Sequence, residues 1–124
     1  RPAALEDEAR VAALRREGVE IEAVAPGADP HPDLAAVLAL LARRGINELH
    51  VEAGARLNGA LLAAGLVDEM LAYVAPVLLG EGRGLAAFGP PAALDQAWLL
   101  ALHDVARVGE DVRLIGRPSG ASAP

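Results

Sequence analysis

Glu52 closes a stretch that reads as a buried strand, stands two positions before Gly54, and is followed by Arg56 and Asn58 at the head of a helix-forming stretch, HVEAGARLNGALL. A carboxylate at the end of a buried strand is costly unless something binds it. Strand, glycine and helix together place free backbone N–H groups and the positive end of a helix dipole at the carboxyl edge of a sheet, where α/β proteins hold phosphorylated ligands. Gly54 lets backbone approach such a ligand closely, and Arg56 and Asn58 on the first turn reach phosphate oxygens. Glu52, facing the same crevice, accepts hydrogen bonds from a ring N–H or an amino group. Spacing alone leaves an equal alternative open, in which Gly54 is only a turn, Arg56 is solvated and Glu52 pairs with a nearby N–H or arginine.

The elements that position these residues follow from hydrophobic period and punctuation. Residues 1–17 read as a helix with acids early, arginines late and Gly18 as its stop. VEIEAV, Val19 to Val24, alternates apolar and acidic residues and predicts a strand near a sheet edge. Asp33 to Arg44 predicts a helix, because Leu34, Val37, Leu38 and Leu41 share one face and Gly45 follows. Glu48 to Glu52 predicts a short strand. Ala55 to Ala64 predicts a helix with Leu57, Leu61 and Ala64 as its buried stripe. Asp68 to Ala75 is apolar on both faces, as a central strand is, and ends at Pro76. A long loop with at most a turn of helix then leads to Leu99–Val108 and Asp111–Arg117, a hairpin around GED, with Trp98 anchoring it and residues 118–124 as a flexible tail. Residues 1–117 thus read as one α/β domain with a mixed sheet.

Composition narrows the function classes. The chain has 124 residues, 53% hydrophobic but 2% aromatic, so its core is built from Ala, Leu and Val. All eleven basic residues are arginine, and against 17 acids the net charge is −6, which argues against a sequence-independent grip on nucleic acid. The absence of cysteine excludes disulfides and thiolate metal sites and fits a reducing, cytoplasmic setting. No apolar run approaches the roughly 20 residues needed to span a bilayer, and the start lacks a targeting pattern. The first residue is Arg1 rather than Met, which reads as a processed chain or part of a longer product. His31, His50 and His103 are too scattered to form a metal site or a relay, Asp68 and Glu69 read as a solvated strand entry, and GEGRG, Gly80 to Gly84, reads as a connecting loop.

The stretch INELHVEAGARLNGALLAAGLVDEMLAYVAPVLLG, Ile46 to Gly80, resembles the reductase half of the bifunctional riboflavin-biosynthesis deaminase/reductase. That family runs isoleucine–asparagine, then valine–glutamate–alanine/glycine–glycine, then LAAGLVDE and YVAP followed by LLG. The likeness extends more loosely to ARVAALRREGVEI, GRGLAAFG and DVARVGEDVRLIGR. It implies a dihydrofolate-reductase-like three-layer sandwich with a mixed sheet, of which this chain would be the C-terminal part. It also implies hydride transfer from NADPH to the ribosyl group of a phosphoribosylaminopyrimidine. Carried over by position, Glu52 becomes the substrate-contacting glutamate. Gly54, Ala55, Arg56, Leu57, Asn58, Gly59 and Ala60 become the segment around the NADPH phosphates; no side chain is assigned a catalytic role and no metal is expected. Family members commonly carry proline and threonine where this chain has Ala55 and Arg56, and often lysine at Val77. A homodimer is expected, since unpaired strand edges seek partners. A different pteridine-type reductase and a non-catalytic remnant that only dimerises or binds a nucleotide are the other readings.

Overall fold

The computed structural model describes residues 8–27, 31–89, 91–93 and 96–119. It divides into two compact units, Arg1–Val51 and Glu52–Pro124.

In the first unit, α1 spans Glu8–Arg16, with Glu8 in its first turn, Arg15 and Arg16 in its last, and Val11 buried. Residues 1–7 of the expected helix lie outside the described residues. Helix α2 spans Leu34–Arg43, and its start is fixed by Asp33, whose Oδ1 accepts from the amides of Ala35 (2.9 Å) and Ala36 (3.3 Å). Its end is fixed by Gly45, whose φ of 81° few other residues adopt. Replacing Asp33 by Ala leaves both amides without that acceptor and is expected to cost about 1 kcal/mol, read from the denaturation midpoint.

Two expected strands carry no ladder. Val19–Val24 forms no strand, and the bridge in this region is an isolated one between Pro26 and Pro32. The alternation is nonetheless used. Glu20 and Glu22, two residues apart, both bind Arg44 at the C-cap of α2, the first at 2.5 Å. The Glu20 hydrogen bond, followed by the charges of Glu20 and Glu22, holds the Arg44 guanidinium above its ordinary pKa. Glu48–Glu52 is likewise without a ladder. The physical reason is common to both: period and β-propensity mark a segment that fits a sheet, but a strand exists only where a neighbour supplies the other half of each hydrogen bond.

The second unit holds α3, Ala55–Ala63, and a sheet of β1, Met70–Val74, β2, Leu99–Val108, and β3, Asp111–Ser119. Their order is β1-β3-β2 and both pairings are antiparallel, so the paired strands form an antiparallel sheet where a mixed one was expected. The β2–β3 hairpin closes through Gly109 and Glu110 between the Val108–Asp111 pair, and Gly109, at φ 63°, takes the left-handed backbone that two-residue hairpin loops demand. One register shift lies between Leu102 and Asp104, bulging β2 at His103. Strand β3 runs to Ser119, two residues past the expected end; residues 120–124 of the expected tail lie outside the described residues.

Strand β1 is at an edge, not in the centre. Its side chains are apolar on both faces, yet Leu71, Tyr73 and Val74 are 44%, 54% and 52% exposed, because within this sheet β1 has a neighbour on one side only. The stripe expected on α3 also shifts: Leu61 is buried with Gly59, while Leu57 and Ala64 are exposed. Trp98 is half-buried and meets Phe88, ring centroids 6.2 Å apart.

Candidate functional site

The corner Glu52–Ala53–Gly54 leads directly into α3, as the sequence predicts. Glu52 is exposed. Gly54 is the N-cap of α3, with extended backbone (φ −81°, ψ 168°), and has no side chain to cap the helix. A Cβ at position 54 would meet nothing within 4 Å, so the space beside the N-cap residue is open. The contrast with α2 is chemical: there Asp33 supplies the acceptor, whereas at α3 the N-cap residue makes no side-chain cap hydrogen bond. Arg56, on that first turn, is exposed and has no ion-pair partner among the described residues.

The middle of the segment does something different. The Asn58 side-chain amide donates from Nδ2 to the carbonyl of Ala53 (3.2 Å) and to that of Leu85 (3.0 Å). The Ala87 amide donates to the carbonyl of Ala55 at 2.8 Å. Gly59 is buried, and a Cβ on it would lie 2.6 Å from the Ala87 carbonyl oxygen and 2.8 Å from the Ala87 nitrogen. Ala55 is half-buried, while Leu57 and Ala60 are exposed. Residues 85–87 are therefore fastened along the start of α3. Sequence reasoning passed over Leu85 and Ala87 as part of a connecting loop. The signal was Gly59: a glycine inside a helix forfeits stability and marks a close backbone approach.

Among the described residues no group of three or more His, Asp or Glu side chains is placed to hold a metal ion. His103 instead faces Glu69, Nε2 to Oε2 3.3 Å, and Arg117 approaches the same carboxylate oxygen at 3.8 Å, so Glu69 is paired rather than merely solvated. On the sheet, Arg113 binds Asp104 at 2.8 Å, which raises the Arg113 pKa. No helix among the described residues is long and apolar enough to cross a membrane.

The sequence model of the family described as RibD C-terminal domain matches residues 3–114. The chain belongs to the RibD C-terminal domain family. It is 44% identical over 81 residues to the riboflavin biosynthesis protein RibD of Haemophilus influenzae, covering 64% of this chain and 22% of that protein. It is 32% identical over 83 residues to the 5-amino-6-(5-phosphoribosylamino)uracil reductase of Buchnera aphidicola, covering 66% of this chain and 40% of that one. Among solved structures, Acinetobacter baumannii RibD superposes with a TM-score of 0.73 at 31% identity over 88% of this chain and 29% of that one. The RibD likeness thus spans most of this chain and less than half of each relative. The fold is accordingly dihydrofolate-reductase-like α/β, represented here by part of its sheet and three helices.

Proposed function

We propose that this chain is part of an NADPH-dependent reductase that converts the ribosyl group of 5-amino-6-(5-phosphoribosylamino)uracil to the ribitylamino product in riboflavin biosynthesis. Its family and the name carried by the Buchnera relative support the reaction class. The observation that carries the reading is the uncapped, open start of α3 directly after Glu52.

The residues present suit a phosphorylated nucleotide. First-turn amides without an internal cap, the positive helix end and the Arg56 guanidinium form a local anion site on a chain whose overall charge is negative. Gly54, Ala55, Arg56, Leu57 and Ala60 line the phosphates, with Asn58 and Gly59 shaping the turn beneath them. When bound, NADPH supplies the hydride. Glu52 accepts from the pyrimidine or ribosyl donors and so holds the carbon to be reduced against the donor face, a positioning role that needs no covalent participation.

A titration of the chain with NADPH is expected to give saturable binding. Mixed with the deaminated phosphoribosylaminopyrimidine and with dihydrofolate in parallel, a chain that oxidises NADPH is expected to do so with the first. Turnover of dihydrofolate alone overturns the substrate assignment. A second reading, association with another copy to form a homodimer without catalysis, draws on the β1 edge, which is apolar and carries no charge, proline or bulge to block pairing. A folded chain that dimerises and binds no NADPH favours it.

A further inference from the structure

We infer that Asn58 is a positioning residue, a pin that sets the geometry between the Glu52 carboxylate and the cofactor-binding turn; this rests on the functional reading above. A primary amide has two N–H donors on one nitrogen, and the Asn58 Nδ2 spends them on two carbonyls that belong to different segments. One is Ala53, the residue between Glu52 and Gly54, so the bond fixes the peptide that joins the two halves of the site. The other is Leu85, which directly follows the glycine-rich stretch 80–84. The Ala87 amide bound to the Ala55 carbonyl, and the seating of Gly59 against Ala87, close the same contact one helical turn along. Corner, helix start and segment 85–87 therefore move as one body, and releasing the pin lets the corner rotate relative to the first-turn amides. Hydroxyl side chains have one donor and a carboxylate has none, so neither reproduces the pair of hydrogen bonds.

The test uses Asn58→Ala. Alanine is the better helix former and adds no bulk, so α3 itself is not weakened and the change reports the pin alone. Hydrogen exchange at the Ala87 amide is expected to accelerate, and the NADPH dissociation constant to rise about tenfold, as for loss of a hydrogen-bonded constraint. Both are measured at a temperature where circular dichroism shows the variant fully folded. A role in stability alone would lower the melting temperature and leave that constant unchanged. Asn58→Asp, which keeps the size and removes both donors, is expected to speed Ala87 exchange in the same way. The proposal is overturned if Ala87 exchange is unchanged in both variants, or if exchange accelerates while NADPH affinity stays within about twofold, a difference worth less than 0.5 kcal/mol. Failure of the unsubstituted chain to bind NADPH removes the functional reading and the positioning role together, and exchange in the free protein then still tells whether the pin itself exists.

Discussion

Gly59→Ala is expected to destabilise the protein by about 1–3 kcal/mol, although glycine to alanine inside a helix ordinarily stabilises by roughly 0.5–1 kcal/mol. The sign turns on what the added methyl meets. At Gly59 it meets the backbone of Ala87, 2.6 Å from the carbonyl oxygen and 2.8 Å from the carbonyl carbon, distances that a side-chain rotation cannot relieve. Segment 85–87 must back away from α3, and with it go the Ala87–Ala55 and Asn58–Leu85 hydrogen bonds. The overpacking cost and the lost bonds outweigh the propensity gain. The measurement is the urea midpoint of the variant against the unsubstituted chain. A midpoint that rises would mean that residues 85–87 do not rest on α3 in solution.

That contact also shows how far the sequence could be read. Every helix and the terminal hairpin were legible, because each is specified locally: Asp33 and Gly45 bracket α2, and Gly109 closes the hairpin. Membership of the family was legible in Ile46 to Gly80, where the corner and α3 lie. What failed was the part that depends on partners. Val19–Val24 and Glu48–Glu52 have the side-chain pattern of strands and remain without a ladder, and β1, apolar on both faces, lies at an edge. Pattern encodes the environment a segment is suited to, whereas a ladder requires a second segment in register. Within the candidate site, the corner at Glu52 and Gly54 and the start of α3 at Arg56 were readable from the sequence. The supporting half left only Gly59 as a signal, because Leu85 and Ala87 act through backbone carbonyl and amide, which leave no trace in their own side-chain identity.

Gly54→Asp is expected to separate folding from binding by moving them in opposite directions. The backbone at Gly54 is extended, with φ −81° and ψ 168°, and suits an N-cap of any type, while nothing lies within 4 Å of a built Cβ. Aspartate there repeats what Asp33 does for α2: its carboxylate accepts from the first-turn amides and favours the positive helix end. Stability should rise by a few tenths to about 1 kcal/mol. The same carboxylate then occupies the acceptor position that the functional reading gives to a phosphate, and its charge repels what remains of that anion. Charge-assisted bonds contribute roughly 1.5–3 kcal/mol each, so loss of even two weakens NADPH binding by about a hundredfold or more. Thermal melting and an NADPH titration on one sample read both effects. A variant that melts higher and still binds NADPH as tightly would show that these amides face no phosphate, and the assignment of α3 as the cofactor helix would fall. A variant that melts lower would instead place the fault in the capping argument and leave the binding result to be judged by itself.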